Sequence, residues 1–166
     1  MRTNRSLVFC APMSAGRIKA ASENPQRGKP LRVLIVEDDP VTRRMLCTLL
    51  EKQGYVIVLA NHGPEALARY QAERFDLVFT DAQMPKMDGL TLTAALRKVR
   101  PSGTHVPIVG VSGHLEEGDR ERFLAVGMDG LLLKPIFRSV LTAEIERLLG
   151  NPGRIKKLFV RRKSSA

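Results

Sequence analysis

Short apolar runs alternate with amphipathic stretches through the middle of the chain. The first run, LRVLIV (residues 31–36), ends in acids and is followed by Asp39-Pro40, a pair suited to the cap and first position of a helix. Val41, Met45 and Leu49 then recur at helical spacing, which predicts one apolar stripe, and Gly54 closes that helix. A second run, YVIVLA, leads to a helix begun near Pro64 with Leu67 and Tyr70 facing inward, and DLVFTD supplies a third strand ending at Asp81. Beyond the Met87-Asp88-Gly89 turn comes a helix with Leu92, Leu96 and Val99, then the strand VPIVGVS and a helix over Leu115 to Val126. The strand GLLLK ends in Lys134-Pro135, and a last helix places Leu141, Ile145, Leu148 and Leu149 on one face before Gly150 ends it.

Strands that are apolar throughout, rather than alternating, imply a sheet buried on both faces, and a helix between each pair implies parallel crossovers. The pattern therefore predicts a doubly wound α/β domain of five β/α units over residues 31–150, uninterrupted by repeats or low-complexity blocks.

Composition changes this picture mainly at the ends. The chain of 166 residues has room for one ordinary domain with a core of its own, and its hydrophobic fraction of 43% is normal for a globular protein. No stretch approaches the roughly 20 apolar residues of a membrane-spanning helix. Cys10 and Cys47 lie in no metal-binding spacing, so a reducing, cytoplasmic setting is expected; His62, His105 and His114 are scattered and suggest no zinc site. The net charge of +10 would ordinarily point to an anionic partner, but residues 1–30 carry +5 and residues 151–166 carry +6, which leaves −1 for residues 31–149. The basic character belongs to the tails. The first tail lacks apolar periodicity and reads as disordered, with a targeting presequence as the rival reading of Leu7 to Met13. The second, NPGRIKKLFVRRKSSA, is too short for an output domain and reads as a solvated tail or as a segment that contacts an acidic partner or surface.

In a doubly wound sheet, ligands bind beyond the carboxyl ends of the strands. Here the first strand ends in Glu37, Asp38 and Asp39, the third in Asp81, the fourth in Ser112 and the fifth in Lys134. Turn chemistry accounts for one such residue, not for a directional set of all of them. Carboxylates converging at one end of a sheet repel unless a cation neutralises them, and an all-oxygen site suits a hard ion such as magnesium. That cation could bridge a phosphate while a carboxylate, a known type of phosphoryl acceptor, attacks phosphorus.

The segments VLIVEDDP, DLVFTDAQMPKMDGL, PIVGVSG and GMDGLLLKPI resemble, in order, the four motif regions of response-regulator receiver domains of two-component signalling. The resemblance implies a flavodoxin-like fold with strand order 2-1-3-4-5. It implies that Asp81 is the phosphoacceptor, assisted by Ser112, which bonds the phosphoryl oxygen, and Lys134, which salt-bridges it. The metal, Mg2+ or Mn2+, would be held by Asp38, by Glu37 through water, by Asp81 and by the backbone carbonyl of Gln83. Gln83 and His114 occupy positions that tune hydrolysis, Gly113 leaves space beside the acceptor, and Lys134-Pro135 is expected to be cis. Asp39 matches no metal position and is better explained as the helix cap.

Self-phosphorylation from a phosphodonor and self-dephosphorylation are then the only expected chemistry, without turnover as an enzyme. The implied partners are a histidine kinase or histidine phosphotransfer protein and an unspecified downstream protein, with a homodimer on phosphorylation. One departure stands out: Leu131 occupies the place, three residues before the lysine, where receivers often carry Tyr or Phe. The alternative is a receiver-like interaction module that works without phosphorylation, against which the intact Asp81, Ser112 and Lys134 count. A phosphatase of the haloacid-dehalogenase type would need a second Asp where Gln83 stands.

Overall fold

The computed structural model describes residues 30–99 and 105–150. Along them run β1 (Arg32–Val36), α1 (Pro40–Glu51), β2 (Val56–Ala60), α2 (Gly63–Ala72), β3 (Leu77–Asp81), α3 (Gly89–Val99), β4 (Ile108–Ser112), α4 (Asp119–Ala125), β5 (Gly130–Leu133) and α5 (Arg138–Leu149). The sheet is parallel throughout, in the order β2-β1-β3-β4-β5. The expected architecture is the one observed. The basic segments before residue 30 and after residue 150 lie outside the described residues. No helix among the described residues is long and apolar enough to cross a membrane.

Successive strand residues point to opposite faces, and here both faces are covered. Leu34, Val36, Val78 and Ile108 pack with Ala66, Tyr70, Leu92, Leu96 and Phe123 of α2, α3 and α4. Val33, Ile35, Leu77, Phe79, Val109, Val111 and Leu132 pack with Leu46, Cys47 and Leu50 of α1 and Leu141 and Ile145 of α5. All five residues of β3 and of β4 are buried, whereas β2, at the sheet edge, is only partly covered and leaves Val56 exposed.

Local chemistry fixes where the helices begin. Asp39 accepts from the Thr42 amide at 2.7 Å with Pro40 following it, and His62 caps α2 by accepting from the Glu65 amide at 3.2 Å. Gly54, just beyond α1, takes a φ of 86°, a left-handed conformation that suits glycine.

The structure corrects three expectations. In α1 the face against the sheet is Leu46, Cys47 and Leu50; Val41 is 75% exposed, and Met45 and Leu49 are only partly covered. The helix carries two neighbouring apolar stripes, and periodicity alone does not say which one meets the sheet. Val99, in the last turn of α3, is exposed. The fourth helix spans only Asp119–Ala125, because Gly118, at φ 87° and without a side-chain cap, starts it late and leaves 113–118 as a loop.

This assignment of the α1 faces predicts that Leu50→Ala lowers unfolding free energy by about 2–5 kcal/mol, while Val41→Ser changes it by less than about 0.5 kcal/mol. Chemical denaturation of the two variants measures both. Equal losses would mean that Val41 packs against the core.

Candidate functional site

The register of the sheet assembles the site. Val36 pairs with Ala60 on one side and Thr80 on the other, so Glu37 lies beside Asn61 and Asp81; Asp81 pairs with Val111, and Ser112 with Leu133. Lys134, one residue past β5, lies two strands away from Asp81, and the length of its side chain lets it cross β4. Its Nζ stands 2.6 Å from Asp81 Oδ2 and 3.0 Å from Glu37 Oε2. The Lys134-Pro135 peptide is cis, as the resemblance implies.

Each oxygen of the Asp81 carboxylate has a donor: the Gln83 amide reaches Oδ1 at 2.9 Å and Lys134 reaches Oδ2. Gly89, read from the sequence only as part of a turn, is what allows α3 to start here. A Cβ on it would come within 2.3 Å of the Asp81 carbonyl oxygen, and its own amide donates to the Ala82 carbonyl at 3.2 Å. The signal was available, since glycine at a helical position costs stability unless close approach demands it.

Glu37, Asp38 and Asp81 each offer an oxygen, all within 4.8 Å of one another. Glu37 and Asp81 are buried and Asp38 is exposed, which opens the cluster to solvent on one side. Asp39 is not part of it: its carboxylate is spent on the α1 cap, where hydrogen bonds from Thr42 hold it below the usual range. Burial, with Asp81 beside it, pushes the Glu37 carboxyl up to about 7 against the opposing pull of Lys134. Burial alone would lower Lys134, but its hydrogen bonds to Asp81 and Glu37 outweigh that and hold it above the ordinary lysine value. Glu37 Oε2 is buried and, despite the nearby ammonium, makes no aligned hydrogen bond. Among the described residues three carboxylates stand against one ammonium, and these all-oxygen donors with an orphaned buried oxygen form a set that a hard divalent cation fits.

The remaining candidates lie around this cluster. Ser112 is buried, and its hydroxyl donates to the His114 carbonyl at 2.5 Å. The side chains of Gln83 and His114 are exposed, and a side chain at position 113 would meet nothing within 4 Å. Leu131 packs inward against the α2–α3–α4 face of the core, beside Gly110.

With this geometry in place the comparisons with known proteins are decisive. Residues 33–146 match the family model of the response regulator receiver domain. The chain belongs to the receiver family. Among its relatives, the sensor histidine kinase GacS of Pseudomonas protegens is 35% identical over 81% of this chain and 15% of its own length. RcsC of Escherichia coli is 34% identical over 78% of this chain and 13% of its own. The receiver thus spans only a small part of the curated relatives it matches. Among solved structures, the receiver domain of a Pseudomonas aeruginosa sensor histidine kinase, with a magnesium ion coordinated in its active-site cleft, superposes with a TM-score of 0.66 at 31% identity, covering 73% of this chain and 98% of that one. A chemotaxis protein of Vibrio cholerae gives 0.65 at 31%, covering 71% and 98%.

Because the folded receiver holds a proton on Glu37 more tightly than the unfolded chain does, that group contributes stability below pH 4.5 and loses it as pH rises through about 7. Without divalent metal, wild type should therefore weaken across that interval more than Glu37→Gln does, as read by denaturant midpoints. Equal slopes in the two proteins would place the proton elsewhere.

Proposed function

We propose that this receiver accepts a phosphoryl group on Asp81 from a phosphohistidine and signals by changed protein binding. The observation that carries the reading is the paired aiming of the Asp81 carboxylate by the Gln83 amide and Lys134, beside an acidic cluster open to solvent at Asp38. One Asp81 oxygen attacks phosphorus; the new P–O bond forms as the P–N bond to the donor imidazole breaks, and the electron pair leaves with that nitrogen. A bound magnesium or manganese ion supplies charge neutralisation and orientation of the phosphoryl oxygens. Asp38 and Asp81 would hold it directly with the Gln83 carbonyl, and Glu37 through water.

Lys134 already lies on Asp81 and follows the charge onto the transferred group. Ser112 has one proton to donate, and it goes to the His114 carbonyl, so bonding a phosphoryl oxygen requires that contact to open. The loop before α4 is then released from β4, a response that does not need an aromatic at Leu131. Gln83 and His114, exposed at the mouth, would set how readily water reaches the acyl phosphate.

A donor must bring its histidine over the strand ends. Val41, exposed on the outer face of α1 with Met45 and Leu49 partly covered behind it, offers an apolar seat near Asp38 for a histidine kinase or histidine phosphotransfer protein. Leu124, Leu133 and Val140 are exposed on α4, β5 and α5, a surface suited to a downstream protein or to a second copy after phosphorylation. A cytoplasmic setting accords with this chemistry.

Incubation with a small-molecule phosphodonor and magnesium should add the mass of one phosphoryl group to wild type and none to Asp81→Asn or to a chelated sample, with light scattering of the same samples reporting dimer formation. A folded wild type that gains no mass would favour a phosphorylation-independent binding module, and an unchanged particle mass after phosphorylation would remove the dimer.

A further inference from the structure

Arg43 is the fourth residue of α1, where a cation is unfavourably placed near the positive end of the helix dipole. A long helical side chain leans back toward the N-terminus, and this one does so far enough to leave its own helix. Its Nη1 donates to the carbonyl of Glu37 at 3.0 Å and to Asn61 Oδ1 at 2.8 Å. One guanidinium thereby ties α1, the β1–α1 loop and the end of β2 together.

The orientation of Asn61 is itself determined. Its backbone amide and its Nδ2 both donate to Glu65 Oε2, at 2.9 and 3.1 Å, and Glu65 is braced by Arg69 at 2.9 Å. An ionised Glu65 only accepts, so the amide nitrogen of Asn61 must face it and the oxygen must face Arg43. The Glu37 residue is held at both ends: its amide donates to the Ala60 carbonyl at 3.2 Å, and its own carbonyl accepts from Arg43. The peptide that Arg43 grips leads directly into Asp38, whose carboxylate no protein group holds among the described residues. What aims Asp38 is therefore the pinned backbone behind it.

We infer that Arg43, oriented by Asn61, is a positioning residue for the divalent-cation site: it fixes the Glu37–Asp38 peptide so that both acids converge on Asp81. This rests on the proposal that Glu37, Asp38 and Asp81 hold the cation. Positioning and simple electrostatics predict opposite signs. Arg43 is a positive charge on the loop that carries the acids, so if charge were its whole contribution, removing it would tighten cation binding. If it acts by holding the loop, removing it loosens binding.

The test is a magnesium titration of the unphosphorylated protein followed by amide chemical shifts, with thermal unfolding measured alongside without metal. Loss of a partner that orients a metal ligand commonly costs about 10-fold to 100-fold in affinity. Arg43→Ala should weaken magnesium binding by about tenfold, Asn61→Ala should weaken it less but in the same direction, and Arg43→Lys should recover only part of the loss. Magnesium binding by folded Arg43→Ala that is equal to or tighter than wild type would overturn the inference, even if that variant unfolds at a lower temperature. Should Arg43→Ala fail to fold, unchanged affinity in Asn61→Ala overturns it in the same way. Wild type that binds no magnesium would instead overturn the proposed cation site, and this inference with it.

Discussion

Carboxylates do not gather in a buried place without something that compensates their charge. Glu37 and Asp81 are buried at the carboxyl ends of adjacent strands, with Asp38 within reach, and among the described residues a single ammonium, that of Lys134, reaches them from two strands away. The rest of the domain can be understood from that imbalance. Burial, with Asp81 alongside, keeps Glu37 prone to hold a proton up to about pH 7, a donor at each oxygen orients Asp81, and the imbalance leaves an oxygen-lined site that a hard divalent cation suits.

The fold serves this constraint through register. A parallel sheet places every strand end on one edge, and the order β2-β1-β3-β4-β5 sets Glu37 next to Asp81 and Ser112 between Asp81 and the lysine strand. Burial on both faces fixes that register, since a slip of one residue would turn Leu34, Val78 and Ile108 away from α2 and α3. Close approach by Gly89 lets α3 begin against the backbone of Asp81, so Asp81 is held by packing as well as by hydrogen bonds. The proton of Ser112 is committed to the His114 carbonyl, which ties the end of β4 to the loop ahead of α4.

Much of this was legible in the sequence because it is local. Apolar runs ending in Asp81, Ser112 and Lys134 announce strand ends, and Asp39-Pro40 announces a helix start, whatever the rest of the chain does. What was not legible depends on contacts between distant segments. Two apolar stripes adjoin on α1, and only the sheet beneath chooses Leu46 and Leu50 over Val41. The late start of α4 follows from a left-handed Gly118 rather than from the apolar pattern after Leu115. Arg43 looks like one cation among many until β2 brings Asn61 alongside it.

The most direct test of the charge-compensation account is a crystal structure of the protein grown with magnesium. The account predicts an octahedral ion with oxygens at about 2.0–2.1 Å, contributed by Asp38, Asp81 and the Gln83 carbonyl, with Glu37 reached through a water. A lattice soaked in magnesium that shows no ion there, with Lys134 and a protonated Glu37 alone closing the site, would contradict it.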